Sequence, residues 1–324
     1  TTNMTNVMPM ASDPAGTYGV TDVFISKYSA DGTQMLWTCF IGGGNDNMGT
    51  ETVHSLITDE NDNLYFFGAT SSLDFPIQNG YQSTHSGGVS GANFGGNAVT
   101  YGANGTDIYV SKLSSNGMLL LGSTYIGGSL NDGINNVVNA SNTPVYDTLA
   151  FNYGDQFRGE IMLDKNGNCI IASCTRSTDF PTVSPIQAAN AGNQDGVVFK
   201  LNSNLSSLLW STYYGGSGLD ACYSVKIDSS FNVVFCGGTS SSDTASGWQP
   251  TYNGGKTDGY VAKLSGNGQS LIGASYIGTV NYDQAFFAEI DRANNVYLLG
   301  QSLNGAFPVI NSPFVNPNSS QFVI

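Results

Sequence analysis

The sequence predicts an all-β fold, a β-propeller built of four-stranded antiparallel blades, and three observations carry that expectation. The stretch Asp195–Gly216, DGVVFKLNSNLSSLLWSTYYGG, recurs from Asp22, Asp107 and Asp258, and the four copies align without a gap for twenty residues. A fixed internal period is the signature of a repeat architecture. Each full repeat, the copy together with the residues that follow it, holds two separate hairpin-turn signals, so each supplies four strands. The strand after the second turn is apolar at successive positions, as in LYFF (64–67), CIIA (169–172), VVFC (233–236) and VYLL (296–299). Such runs belong to sheets covered on both faces, and radially stacked four-stranded meanders satisfy that in an antiparallel protein.

The first hairpin starts at the recurrent Asp. Five residues on stands Lys27, Lys112, Lys200 or Lys263, then an aromatic (Phe40, Tyr125, Tyr213, Tyr276), and Gly42, Gly127, Gly215 or Gly278 closes the unit. Its turn reads Asp31-Gly32, Asn116-Gly117, Asn204-Leu205 and Asn267-Gly268. Asp-Gly and Asn-Gly supply positive φ, which predicts a type I′ turn. The second hairpin turns on Asp-x-x-x-Asn at Asp59–Asn63, Asp164–Asn168, Asp228–Asn232 and Asp291–Asn295. Two consecutive hairpins per repeat predict strands running from the axis outward, with Asp22, Asp107, Asp195 and Asp258 near the axis. Units exit through Asp74-Phe75-Pro76, Asp179-Phe180-Pro181 and Phe307-Pro308, and the third through Trp248-Gln249-Pro250. Proline there ends an outer strand without costing a ladder bond.

These boundaries place an inter-blade connection at 1–21 and a propeller segment at 22–324. Blades fall at about 22–76, 107–181, 195–250 and 258–308, and a fifth begins near 321 with QFVI. Repeat starts are 85, 88 and 63 residues apart, so the two longer units carry insertions, at 77–106 and 133–157, both expected at the periphery. Closure is what removes open sheet edges, which predicts a chain continuing past Ile324 to a ring of about seven blades.

The chain has 324 residues, 41 of them Gly and 10 Pro, and a formal charge of −14 from 24 acidic and 10 basic residues. That balance excludes nucleic acid and anionic membrane surfaces as partners, since both need basic patches. No apolar run reaches the roughly 18 residues of a membrane helix. Five cysteines are too few for a disulfide scaffold and read as small buried residues, with Cys222 and Cys236 placed for one bridge across a hairpin.

The repeat resembles the SBBP β-propeller repeat. TDIYVSKLSSNG (106–117), TYIGG (124–128), LDKNGN (163–168) and TRSTDFP (175–181) carry the resemblance, which covers nearly everything from Asp22 to Ile324. Departures are local: Gly278-Thr279 for a Gly pair, Leu205 for Gly, and no Phe-Pro in the third unit. The resemblance implies a secreted or outer-surface location in bacteria, of Bacteroidota type, and association with type IX secretion. Asp147-Thr148-Leu149 and Asp243-Thr244-Ala245 look like the O-glycosylation triplet of that phylum.

No constellation points to catalysis. There are two histidines, His54 and His85, and neither G-x-S-x-G nor H-E-x-x-H. The recurrent Asp reads as a strand cap, and the recurrent Lys as the partner of a repeat carboxylate between blades. Asp59, Asn61 and Asn63 open like a calcium loop, but Leu64 stands where such a loop needs Gly and no Glu closes it, so hairpin chemistry accounts for them. A second acidic series, Asp46, Asp132, Asp220 and Asp283, follows the glycine corner. No cofactor is called for beyond a candidate calcium ion. The reading is a non-catalytic extracellular module of a larger bacterial surface protein, structural or adhesive, whose partners are other domains of its polypeptide or surface-assembly proteins. Two alternatives stand beside it. One is a carbohydrate-binding or carbohydrate-cleaving propeller using Tyr101, Tyr109 or Trp248 as sugar platforms. The other is a filament subunit whose incomplete blade a neighbouring chain completes.

Overall fold

The computed structural model describes residues 7–9, 21–43, 49–88, 93–94, 99–100, 104–135, 149–152, 154–303, 307, 310 and 321–323. Sheet I joins β1 (Val7–Pro9), β2 (Val23–Tyr28) and β3 (Met35–Ile41) in the order β1-β3-β2. Sheet II holds β4 (Ser55–Thr58) and β5 (Leu64–Thr70). After the small separate hairpin β6 (Asn93–Phe94) and β7 (Val99–Thr100), it continues with β8 (Asp107–Leu113) and β9 (Leu120–Ile126). Sheet III is β10 (Glu160–Leu163), β11 (Cys169–Thr175), β12 (Asp195–Leu201) and β13 (Leu208–Tyr214). Sheet IV is β14 (Asp220–Ile227), β15 (Val233–Thr239), β16 (Asp258–Leu264) and β17 (Leu271–Ile277). Sheet V is β18 (Asp283–Ile290), β19 (Val296–Leu303) and β20 (Gln321–Val323). The protein is all-β, with blade-like, four-stranded antiparallel sheets stacked face to face. No helix among the described residues is long and apolar enough to cross a membrane.

The sheets are out of phase with the sequence repeat. The predicted blades 22–76, 107–181 and 195–250 would each keep a repeat's two hairpins in one sheet. Instead β5 pairs with β8, β11 with β12 and β15 with β16, so every complete sheet joins the second hairpin of one repeat to the first of the next. Sequence shows both hairpins but not which link between them turns a corner. The glycine corner, Gly127-Gly128 and its copies, is the link that carries the chain to the next sheet. The recurrent Asp107, Asp195 and Asp258 consequently open the third strand of a sheet rather than the innermost. The inner edge is formed by β4, β10, β14 and β18, which approach one another in turn.

Between sheets the core is continuous. Tyr65, Phe67, Ile108 and Val110 of sheet II meet Ile171, Val197, Phe199 and Tyr213 of sheet III. On the far side of sheet III, Ile170, Val198 and Trp210 meet Val225, Phe235 and Tyr260 of sheet IV. Alternate residues of each strand therefore serve two interfaces, which is why the apolar runs lack alternation.

Both turn types are built by side chains. In the first, Gly32, Gly117 and Gly268 are left-handed (φ 71°, 71° and 72°) and a register shift follows Lys27, Lys112 and Lys263. Only one turn residue has positive φ, so this is a bulged loop with a left-handed residue rather than the expected type I′ turn. Leu205 takes the same conformation (φ 64°) and is compensated by full burial among sheets II and III. In the second, Asp59 Oδ1 accepts the amides of Asn61 and Asn63, and its Oδ2 accepts Asn63 Nδ2 at 3.1 Å. The same closure recurs at Asp164, Asp228 and Asp291.

Candidate functional site

The most elaborate recurrent chemistry sits at the glycine corners. Asp107, Asp195 and Asp258 are fully buried. Oδ2 of each accepts a backbone amide, from Ser86 (2.8 Å), Ala191 (3.0 Å) and Asn253 (2.8 Å). It also accepts a glutamine Nε2, from Gln82 (3.1 Å), Gln187 (2.7 Å) and Gln249 (3.4 Å). The same glutamine then accepts the corner amide of Gly127, Gly215 or Gly278 on its Oε1. Glycine is required there because the carboxylate lies against it. A Cβ on Gly127 would stand 2.5 Å from Asp107 Oδ1, and one on Gly215 2.7 Å from Asp195 Oδ1.

The second acidic series closes the corner from the other side. Asp132 Oδ2 accepts Gly128 N (2.7 Å) and Ser177 Oγ (3.0 Å), and Asp220 Oδ2 accepts Gly216 N (2.9 Å) and Ser241 Oγ (2.7 Å). Asp283 Oδ2 accepts the amide and hydroxyl of Thr279. Asp46 lies outside the described residues, and Glu51 does this work in the first repeat, accepting Thr70 Oγ1 and Ser72 Oγ. The two acids of a corner converge: the point 2.5 Å from Asp107 Oδ1 is 2.8 Å from Asp132 Oδ2.

Burial, then the neighbouring carboxylate, pushes Asp107 up to about 8, and Asp258 up to about 7. Burial raises Asp132 to about 7 and Asp220 to about 6, and Asp195 also sits at about 6. Oδ1 of Asp107, Asp195 and Asp258 has no hydrogen-bond partner among the described residues. Two buried carboxyl groups this close hold a proton more readily than two charges. No group of three or more His, Cys, Asp or Glu that could hold a metal occurs among the described residues.

The recurrent lysines were expected to pair with carboxylates between blades. They pair inside a sheet instead, across the repeat boundary: Lys112 with Asp59 (3.2 Å), Lys200 with Asp164 (2.7 Å) and Lys263 with Asp228 (2.6 Å). Lys27 donates to the Ser115 carbonyl. The asparagine amides and the lysine hold Asp59 below the usual carboxylate range despite its partial burial. These pairs occupy the oxygens a calcium ion would need at Asp59, while Asn61 and Asn63 meet Asp59 as donors. Calcium at a few millimolar is therefore expected to move the thermal midpoint by less than about 1 °C, because only selective binding to the folded state stabilises it. Differential scanning fluorimetry with and without chelator checks this.

Other expected sites resolve individually. Tyr109 is buried, donating to the Thr52 carbonyl, and Tyr101 lies outside the described residues. Trp248 is exposed and lines a shallow cavity of about 560 Å³ with Gln249, Asn253, Thr279 and Val280. All five cysteines are free and buried. Cys222 and Cys236 cannot bridge because a bulge puts them on opposite faces, one against sheet III and the other against sheet V. His85 is half-buried, edge-on to Tyr125. Thr244 is also half-buried; Asp147 and Thr148 lie outside the described residues.

The roles of three contributors escaped the sequence reading. Gln82, Gln187 and Gln249 precede their Asp by 25, 8 and 9 residues, so an insertion hid their alignment. Tyr125, Tyr213 and Tyr276 each bridge the exit segment, donating to the Ser72, Ser177 or Ser241 carbonyl while accepting the Phe75, Phe180 or Thr244 amide. The third is the 133–157 insertion, which is not peripheral. Leu149 is fully buried against Cys174, Ala221, Tyr223 and Phe286, and its carbonyl accepts Asn135 Nδ2, Tyr223 Oη and Gln284 Nε2. Arg158 pairs with buried Asp155 at 2.7 Å and lies 3.9 Å above the Phe286 ring. The insertion ties sheets III, IV and V together.

No protein-family model matches the chain, and no curated protein does. Solved structures similar to it include a europium-containing methanol dehydrogenase, at 8% identity and TM-score 0.31, over 90% of this chain and 63% of that one. Another is the quinohemoprotein alcohol dehydrogenase ADHIIG of Pseudomonas putida HK5, at 9% identity and TM-score 0.29, over 88% and 52%. A third is BamB from Moraxella catarrhalis, at 12% identity and TM-score 0.23, over 88% and 96%. The chain thus spans less than two thirds of the first two. TM-scores this low say nothing of what this chain does.

Proposed function

We propose that the chain is a non-catalytic, extracellular β-propeller-type module of a bacterial surface or secreted protein, with a structural or adhesive role. The observation that supports this is where the recurrent polar residues go. The corner acids, glutamines, tyrosines and three of the four recurrent lysines are spent on holding the corners and neighbouring strands together, and the corner acids are walled in by glycine rather than opened to a substrate. The SBBP-like repeat adds the surface location and the link to type IX secretion.

Exposed Trp248 beside its cavity favours a second reading, a carbohydrate-binding propeller, since an aromatic face is a platform for a sugar ring. One experiment separates them. The chain is incubated with insoluble glycans, and both retention and released reducing ends are measured for wild type and Trp248→Ala. No turnover and no Trp248-dependent retention is the expected result. Retention lost in Trp248→Ala replaces the first reading with the second, and turnover overturns the non-catalytic assignment.

A further inference from the structure

The chain holds seven Asn-Gly pairs. In such a pair the glycine amide can attack the asparagine side chain, because no Cβ blocks the approach and the glycine backbone turns freely. Folding decides which pairs keep that freedom. Three are closed by their own hairpins: the amides of Gly117, Gly167 and Gly268 donate to the Ser114, Asp164 and Ser265 carbonyls at 2.8, 2.9 and 2.8 Å. Two more are wedged against neighbouring backbone. A Cβ on Gly80 would stand 2.4 Å from the Ser123 carbonyl oxygen, and one on Gly105 2.2 Å from Gly88 Cα. Asn304 lies outside the described residues.

Asn253-Gly254 differs from all of these, and the reason is one extra residue. Asp258 follows its corner glutamine by nine positions, where Asp195 follows by eight. The two loops match on either side of the addition. Asn253 and Ala191 each give their amide to the corner aspartate, at 2.8 and 3.0 Å. Gly255 and Gly192 each lie against a corner carbonyl, that of Asn281 or Gly218, 2.0 and 2.1 Å from where a Cβ would stand. Gly254 between them is therefore the added residue, and it loops outward. Its φ is 107°, its Cβ position has nothing within 4 Å, and its amide makes no hydrogen bond among the described residues. Asn253 is exposed, and its Nδ2 donates to the Gly278 carbonyl at 2.9 Å. The side chain thus helps to hold the corner that Asp258 and Gln249 build.

We propose that Asn253 is a self-modifying site, at which the Gly254 amide nitrogen closes on Asn253 Cγ and water then leaves aspartate or isoaspartate, loosening that corner. In the first step the N–Cγ bond forms and the Cγ–Nδ2 bond breaks, and the Gly254 amide proton departs with Nδ2 as ammonia. Water then opens the five-membered imide. Cleavage of its bond to Cγ gives aspartate, and cleavage of its bond to the main-chain carbon gives isoaspartate. One water is consumed, one ammonia is released, and nothing is oxidised or reduced. The product disturbs the corner in two ways. A donor becomes a carboxylate oxygen facing the Gly278 carbonyl, which leaves two acceptors without a proton between them. A negative charge also appears beside the buried Asp258 carboxyl, which already resists ionising. The inference does not depend on what the module binds.

Peptide mapping of the folded protein during incubation in mildly alkaline buffer tests it. The peptide carrying Asn253 is expected to convert first, to both aspartate and isoaspartate with ammonia released in step, while Asn116, Asn166 and Asn267 stay intact. In urea, where every pair is free, all should convert together. Deleting Gly254 keeps an Asn-Gly pair but restores the eight-position spacing, and should suppress conversion in protein that still melts cooperatively. Asn253→Asp should lower the thermal midpoint by about 2–4 °C, as for the loss of one hydrogen bond. Conversion of Asn253 no faster than that of Asn116 in the folded protein overturns the proposal, as does conversion that the folded deletion variant leaves unchanged. An Asn253→Asp protein as stable as wild type overturns the loosening of the corner.

Discussion

Raising the pH from about 5.5 to about 8.5 is expected to destabilise the protein by roughly 3 kcal/mol, read as a thermal midpoint several degrees lower. The corner acids set the sign. Asp107, Asp132 and Asp258 hold protons in the folded state up to about 8, 7 and 7, whereas an unfolded aspartate releases its proton near 4. Between those limits the folded chain binds more protons than the unfolded one, so stability falls as pH rises. The contribution is complete below about 4 and gone once pH passes the folded values. Asp59, Asp164 and Asp228 act oppositely, being held below the usual range, and their contribution is lost only as pH drops under about 4. Maximum stability is thus expected near pH 5. Facing Asp107 are Asp132, Asp179, Tyr125 and His85, and Asp132 is the neighbour that raises it most. Asp107→Asn combined with Asp258→Asn should remove most of that slope, because an amide is neutral throughout and two of the three groups that set it are gone. A stability that climbs from pH 5.5 to 8.5 would mean that the corners hold charged pairs compensated by a bound cation.

Leu149→Ala is expected to cost about 3 kcal/mol, measured by urea denaturation, against a negligible change for exposed Leu73→Ala. Leu149 is fully buried where sheets III, IV and V meet, so truncation opens a cavity rather than a surface. Its carbonyl also anchors three side chains that lose their alignment if the loop shifts. A near-zero cost would mean the loop relaxes into the space and does not brace the sheets.

What the sequence made legible was periodic, and what it concealed was relational. The two hairpins, their turns and the doubly covered strands follow from Asp-Gly, Asp-x-x-x-Asn and runs such as LYFF, because each is local. The phase of the sheets was hidden, since pairing β5 with β8 depends on which loop turns a corner. The recurrent Lys was recognised as a partner for a carboxylate, yet its aspartate belongs to the repeat before, across a loop of variable length. Corner acids were visible as two acidic series, but only the fold shows that they converge on one glycine. The 133–157 insertion was misplaced for a similar reason. Its length reads as a peripheral loop, while its use rests on Leu149 and Asn135, with Arg158 just past it, and Leu149 meets Phe286, 286−149=137 positions away.

The offset between repeat and sheet also governs the order in which the molecule can be made. A ribosome delivers β4 and β5 as a finished hairpin, but the edge of β5 stays unpaired until residues 107–113 emerge. The same wait recurs between β11 and β12 and between β15 and β16, and it is shorter each time, because the intervening loops shrink. Nascent chains therefore carry one open, apolar strand at nearly every stage of synthesis, the condition that recruits chaperones or invites pairing with a neighbouring nascent chain. A translational pause placed after a complete repeat would prolong that exposure. One placed after Ile126, Tyr214 or Ile277 would fall when sheet II, III or IV has just received the last of its four strands.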